Sequence, residues 1–183
     1  MCSSDLYHKG SLAMYLLADI VGEDRINALL ASLLQQHAFH AAPYPSVSVL
    51  VNGLRRLVPQ DQAYLIDDLF ETITLHDNRA LVAVARKLPD GKYEVTLTVQ
   101  SAKLRADELG AEKEIPVRDL IEIGVDDKDG NALIRERKLV DRSENSYRLV
   151  VSGRPARAGI DPDNKLIDRK PDDNMVAVEM ANP

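Results

Sequence analysis

The apolar residues of this 183-residue chain change their spacing near residue 76. Before that point they recur every three or four residues, the period of an amphipathic helix, and after it they alternate with polar residues, as in a half-buried strand. Charge density changes at the same place, because residues 1–76 hold 12 charged side chains and residues 77–183 hold 40. We therefore predict an α+β fold with two domains, a helical segment over 1–76 and a β domain over 77–183.

Four short helices are predicted in the first segment, where they form a partial helical bundle. The first runs from about Lys9 to Val21 and ends at Gly22, whose freedom of backbone conformation suits the end of a helix. The second carries an aliphatic stripe made of Ile26, Leu29, Leu30, Leu33 and Leu34. Ser46 is predicted to cap a third helix that ends at Val58. A fourth covers 60–73 and has its acidic residues in solvated positions, namely Asp61, Asp67, Asp68 and Glu71.

The second segment has the alternating pattern of antiparallel strands. It is clearest from Tyr93 to Gln100, and the turn residues Pro89-Asp90-Gly91 precede it. Further strands are predicted over 81–88, 113–117, 120–125, 132–140 and 147–151. Six or seven such strands predict an immunoglobulin-like antiparallel β-sandwich. The tail from Gly153 onward is predicted to be irregular chain, with solvated or ion-paired aspartates.

Composition excludes several classes of protein. The net charge of −6 argues against nucleic acid as a partner, because phosphate binding requires clustered Lys and Arg. The longest apolar run, Leu12 to Ala18, is far shorter than the roughly 20 residues that cross a bilayer, and no signal-peptide pattern is present, so we expect a soluble segment. Cys2 is the single cysteine, which excludes an internal disulfide and a cysteine-rich metal site. The compartment stays open.

Metal and nucleophile motifs are also absent from the sequence. None of His8, His37, His40 and His76 begins a His-Glu-x-x-His box, the helical motif that binds zinc. His37 and His40 could share an ion, but the sequence favours two surface histidines. The loop 127–130 resembles part of an EF-hand, yet Val125 stands at the first ligand position, so a polar hairpin turn is favoured. We predict no metal or cofactor site in these residues.

One ordered set of motifs does carry a resemblance. Tyr7-His8-Lys9-Gly10 leads into an apolar helix, and Gly22-Glu23-Asp24 leads into a second. This order resembles the Tyr-x-Lys-Gly region of the membrane alanyl aminopeptidase (aminopeptidase N) family of zinc metallopeptidases. Further stretches resemble the C-terminal end of a bacterial subgroup in which membrane-spanning, transporter-permease-like segments lie upstream of the peptidase: 42–45, 67–71, 156–162 and 164–169.

The resemblance implies a specific division of roles. The family binds zinc through a His-Glu-x-x-His helix and a Glu on the next helix, and a Gly-x-Met-Glu-Asn strand holds the amino terminus of the substrate. None of these residues is present here, so the zinc, the upstream peptidase domain and the peptide substrate belong to a parent protein, which is expected to be bacterial and membrane-associated. Only Tyr7 carries over, as the catalytic tyrosine that stabilises the oxyanion.

Two functions follow from this reading. In the first, the chain is the C-terminal part of an aminopeptidase-type zinc hydrolase; in the second, it is a non-enzymatic interaction module of a larger membrane-associated assembly. For the isolated chain we expect no peptidase activity and no bound zinc. We also expect self-association through the first helix, where apolar side chains would be uncovered, namely Leu12, Met14, Leu16, Leu17 and Ile20.

Overall fold

The computed structural model describes residues 3–181, with side chains from Lys9 onward. The chain divides into two compact units, Met1–Thr74 and Leu75–Pro183. Helices come first and strands follow, so the predicted α+β class is confirmed. The change in the spacing of the apolar residues accounts for this order. A spacing of three or four residues places apolar side chains on one face of a helix, whereas alternation places them on one face of a strand.

Three helices make up most of the first unit: α1 (Ser3–Val21), α2 (Glu23–His37) and α3 (Val47–Leu57). Gly22 separates α1 from α2 with a φ of 98°, a value that L side chains rarely adopt. Ser46 is the N-cap residue of α3, as predicted, but its hydroxyl bonds to that of Ser48 and makes no capping hydrogen bond. The helices pack around a small apolar core made of Leu16, Leu17, Ile26, Leu54 and Ile66.

The predicted fourth helix is shorter and less regular than expected. Residues 60–71 form a 3-10 turn, the single-turn helix α4 (Tyr64–Ile66) and a π-helical turn. Asp68 was predicted to be solvated, but it is buried, and its Oδ1 accepts a hydrogen bond from Thr74 Oγ1 at 3.2 Å. The first strand already begins at Ile73. Its start escapes the sequence pattern because its buried positions 74, 76 and 78 are polar.

The second unit is a mostly antiparallel sheet that curls into a half-barrel. Its eight strands are β1 (Ile73–Lys87), β2 (Tyr93–Ala106), β3 (Glu112–Ile115), β4 (Asp119–Asp126), β5 (Ala132–Val140), β6 (Glu144–Val151), β7 (Arg157–Ile160) and β8 (Met175–Met180). They lie in the order β3-β2-β1-β8-β7-β4-β5, with β6 also paired to β2. Eight strands replace the predicted six or seven, and the immunoglobulin-like sandwich is not confirmed.

Most of the interior of the half-barrel is apolar. Strand β2 places Val95, Leu97 and Val99 inward, and β4 places Ile121, Ile123 and Val125 inward. The alternation that predicted β2 therefore corresponds to its observed burial. Burial of these branched side chains is the main stabilising contribution of the unit.

The prediction of irregular chain from Gly153 onward is wrong. Residues from Gly153 onward include β7 and β8, and β8 lies between β1 and β7, paired in parallel with β1. Gly159 permits this arrangement, because a Cβ built there would lie 1.9 Å from the backbone oxygen of Asn174. Gly159 therefore allows two segments of the sheet to approach closely.

Candidate functional site

The predicted catalytic residue, Tyr7, lies in α1, but its side chain falls outside the described side chains, as does that of His8. The next motif residue, Lys9, is half-buried and donates a hydrogen bond from Nζ to the carbonyl of Thr72 at 3.2 Å. Burial lowers the pKa of Lys9 below its ordinary value. Gly10 is exposed, and a Cβ built there would have no atom within 4 Å. Lys9 thus ties the motif to the end of the helical unit, while open space surrounds Gly10.

The three histidines with described side chains, His37, His40 and His76, belong to no metal-binding group. Among the described side chains, no group of three or more His, Cys, Asp or Glu is placed to hold a metal ion. The assignment of zinc to an upstream domain stays a prediction. In the loop 127–130, Asp127 Oδ1 accepts hydrogen bonds from the backbone N–H groups of Asp129 and Asn131 at 2.8 and 2.9 Å, which is the chemistry of a polar turn.

Within residues 3–181, no helix combines the length and apolar character needed to cross a membrane.

A buried polar cluster occupies one end of the half-barrel interior. There the inward-facing positions of β1, β2 and β4 change from apolar to polar. The cluster consists of His76 and Asn78 on β1, Ser101 and Lys103 on β2, and Asp119 on β4. Ser101 Oγ donates a hydrogen bond to Asn78 Oδ1 at 2.6 Å, which links the first two strands. We refer to these five residues as the polar cluster.

Asp119 lies at the centre of the polar cluster. Its Oδ1 accepts a hydrogen bond from Lys103 Nζ at 2.9 Å, and its Oδ2 lies 3.1 Å from His76 Nε2. Burial by itself would raise the pKa of Asp119, but the hydrogen bonds from His76 and Lys103 hold it below its ordinary value. The buried carboxylate therefore stays ionised and shares its charge between two neighbours.

The segment that follows β7 runs alongside this end of β1. His76 donates its backbone N–H to the carbonyl of Ile167 at 2.8 Å, and Arg169 N–H donates to the carbonyl of His76 at 3.0 Å. The backbone N–H of Asn78 donates to Asp168 Oδ2 at 3.0 Å. Both backbone and side-chain hydrogen bonds therefore hold the tail to β1. The sequence analysis had treated this tail as surface chain.

Asp161 anchors the same segment. It is 2% exposed, and its two carboxylate oxygens accept hydrogen bonds from the backbone N–H groups of Lys165 and Leu166, both at 2.9 Å. Burial raises the pKa of Asp161 to about 6, against the lowering effect of these hydrogen bonds and of His76. Nearby, Lys165 Nζ lies 3.1 Å from Glu122 Oε1, so the turn also carries a buried ion pair.

This arrangement favours a structural role over a catalytic role for the polar cluster. The side chains of His76, Lys103 and Asp119 are almost completely buried, so a substrate could reach them only if the unit opened. Their hydrogen bonds hold three strands in register and the adjoining tail in place. Sequence reasoning missed the cluster because it tested His76 only for a zinc motif. The sequence did carry one signal of the cluster. The polar residues at 74, 76 and 78 are two positions apart, as side chains on one face of a strand are.

Asp161 predicts a pH dependence of stability. Its pKa is raised from 3.8 in the unfolded chain to about 6 in the folded one, so the folded state holds the proton more tightly. This contribution is fully present below pH 3.8 and is lost as pH rises through about 6. A difference of this size corresponds to about 3 kcal/mol.

Hydrogen exchange of the amides in 161–169, measured between pH 4 and 7, tests this expectation. After correction for the intrinsic exchange rate, protection should fall with rising pH in the wild type. Asp161→Asn should remove the slope, and Asn tolerates the φ of 45° at this position. Asp129→Asn, on an exposed turn, serves as the control. An unchanged slope in Asp161→Asn would contradict the assignment.

Comparison with known proteins does not place the chain in a family. The chain matches no protein-family model, and no curated protein matches it. Neither the motif at Tyr7 nor the polar cluster receives a function from such a match. The resemblance to aminopeptidases therefore rests on the sequence motifs themselves.

Proposed function

We propose that this chain is the C-terminal part of an aminopeptidase-type zinc metallopeptidase, an enzyme that hydrolyses the peptide bond at the amino terminus of peptides. The ordered set Tyr-x-Lys-Gly, apolar helix, Gly-Glu-Asp and second helix carries the proposal. In it, Tyr7 supplies the oxyanion-stabilising hydroxyl, and an upstream domain of a bacterial, membrane-associated parent supplies zinc and its ligands. A phenol hydroxyl suits this role, because it can donate a hydrogen bond to a developing negative charge.

The surroundings of the motif support this proposal. Tyr7, Lys9 and Gly10 share α1, which holds them on one rigid element. Lys9 fixes that element to Thr72, and the open space around Gly10 leaves room for another segment to approach the backbone closely. The contacts of Lys9 and Gly10 are therefore compatible with a second segment that approaches this helix next to the motif.

We assign the β unit a structural role in the same parent protein. Its mainly antiparallel pairing around an apolar core supports classing it as a strongly curled relative of the immunoglobulin-like sandwich. The polar cluster and the apolar core supply its rigidity. No catalytic group is assigned to this unit.

Replacement of the tyrosine in the longer parent protein tests the proposal. Tyr7→Phe should lower turnover at least about tenfold, because one oxyanion donor is lost, while zinc content stays unchanged. Tyr15→Phe is the matched control, since Tyr15 lies on the same helix and is 52% exposed, and it should leave turnover unchanged. Near-normal turnover in Tyr7→Phe would remove the assignment.

The alternative is a non-enzymatic interaction module, and one observation favours it. Large apolar side chains on the helical unit are exposed, among them Phe39 and Tyr44. Sequencing the gene upstream of the Met1 codon separates the two functions. Under the proposal it encodes His-Glu-x-x-His and a distal Glu; an upstream region without these ligands would favour the interaction module.

A further inference from the structure

Among the described side chains of the helical unit, the most exposed apolar ones lie around the connection between α2 and α3. We call this surface the α2–α3 face and define it by four side chains with their exposed fractions: Leu34 (68%), Phe39 (107%), Tyr44 (78%) and Val47 (72%). Beside it, a cavity of about 510 Å³ lies between the two helices and is lined by Leu30, Leu33, Val49 and Leu50. Exposed apolar surface of this kind is typical of an interaction site.

This surface differs from the one that the sequence predicted. Leu16 and Leu17 of α1 were expected to be uncovered, but they are 7% and 0% exposed. Leu12, Met14 and Ile20 are half-buried. Apart from Tyr15 on α1, the most exposed of the described apolar side chains in this unit lie on α2, on the connection that follows it and at the start of α3.

The charge distribution identifies the kind of surface that can cover this face. No Asp, Glu, Lys or Arg occurs between Arg25 and Arg55, although 28% of all residues are charged. The four side chains of the face and the residues that line the cavity, His37 among them, include no Asp, Glu, Lys or Arg. A partner that covers them therefore avoids the desolvation cost of burying such a charge. The matching surface of the partner must itself be uncharged and apolar.

A second copy of this chain supplies such a surface. Each copy carries a net charge of −6, so two copies repel each other over most of their surfaces. The α2–α3 face is where they can meet without opposing like charges. A twofold arrangement would place this patch against itself, which is the commonest symmetry of protein dimers.

The size of the patch is compatible with a stable dimer. Aromatic side chains bury about 150–250 Å² each, and a standard interface buries about 800 Å² on each partner. Phe39 and Tyr44 alone therefore supply roughly 300–500 Å² of the area that each copy needs. Leu34 and Val47 add to it, together with the aliphatic walls of the cavity.

We propose that the α2–α3 face joins two copies of this chain in a symmetric homodimer. Phe39 and Tyr44 are the aromatic anchors of the interface, and each copy inserts apolar side chains toward the cavity of the other. This inference is independent of the proposed peptidase function, because it rests on exposure and charge within the helical unit.

Sedimentation velocity of the full chain, from about 1 to 200 μM, tests the proposal. The expected result is a monomer–dimer equilibrium in which the dimer predominates at the upper end of that range. A strict monomer throughout would overturn the proposal and favour a different protein as the partner. Open-ended assembly would also overturn it, because a twofold contact closes.

Two substitutions locate the interface. Phe39→Asn removes an anchor and suits the backbone, whose φ of 61° at this residue is one that Asn adopts readily. Combined with Leu34→Gln, it should weaken dimerisation at least about tenfold, since truncated anchors at an interface centre have effects of this size. Both side chains are exposed, so folding should be retained, as circular dichroism would verify.

Leu109→Gln is the matched control. Leu109 is 96% exposed but belongs to the β unit and is not one of the four side chains that define the α2–α3 face. This variant should dimerise like the wild type. Dimerisation that persists in the Phe39→Asn, Leu34→Gln variant, or that Leu109→Gln abolishes, would overturn the location of the interface.

Discussion

Asp119→Ala is expected to lower the free energy of unfolding of the β unit by about 3–5 kcal/mol, because it removes one partner of a buried ion pair. Lys103, which is 5% exposed, would lose the carboxylate that lies 2.8 Å from its Nζ. His76 would lose the same acceptor. The protected amides of β2 and β4, followed by native-state hydrogen exchange, report this loss directly.

A double-mutant cycle separates the loss of the charge from the loss of packing. Lys103→Met in the Asp119→Ala background removes the buried cation and should recover much of the stability, so the two changes should be strongly non-additive. Asp129→Ala is the surface control, because its ion pair with Lys128 is exposed; it should change stability by about 0.5 kcal/mol or less. A similarly small effect of Asp119→Ala would show that the polar cluster does not stabilise the fold.

Gly159→Ala is expected to destabilise the β unit by more than about 3 kcal/mol, at or beyond the upper end of ordinary overpacking effects. The new Cβ would lie 1.9 Å from the backbone oxygen of Asn174 and 2.6 Å from Met175 Sδ. The sulfur could move, but the carbonyl belongs to the segment that leads into β8 and accepts a hydrogen bond from Ile160 N–H. Relief of the clash therefore requires β7 and the start of β8 to separate.

Gly124→Ala is the natural control, because Gly124 on β4 is the cross-strand partner of Gly159. There the new Cβ would meet side chains, Arg135 Nη1 and Pro162 Cγ, both at 2.7 Å. The Arg135 side chain is flexible, so the expected loss is smaller, about 1–3 kcal/mol. Hydrogen exchange at β7 and β8 compares the two variants. Equal effects would contradict the argument that a backbone clash makes Gly159 the more sensitive position.

Local patterns were sufficient for several elements. The aliphatic stripe of α2 and the break at Gly22 follow from helical periodicity, and β2 follows from alternation, because in each case the buried side chains are apolar. Strands β3 to β6 were also predicted close to their observed positions. Such elements show their buried face directly in the sequence, so no knowledge of their partners is needed.

Prediction was poorer where the buried side chains are polar or small. The start of β1 has His76 and Asn78 inward, and β7 includes Gly159, so neither shows an apolar alternation. Asp161 looked like a surface acid but is buried against backbone N–H groups. Each of these residues fits the interior only because a partner distant in the sequence satisfies its hydrogen bonds or occupies the space beside it.

Local sequence patterns establish the order of helices before strands, the face that α2 and β2 bury, and the motif at Tyr7 on which the proposed function rests. Only folding of the whole chain brings the tail into the sheet, joins His76, Lys103 and Asp119, and leaves the α2–α3 face uncovered. The difference lies in the range of the interactions. Periodicity is a property of neighbours along the chain, whereas pairing of charges and close approach of backbones depend on segments that meet only after folding.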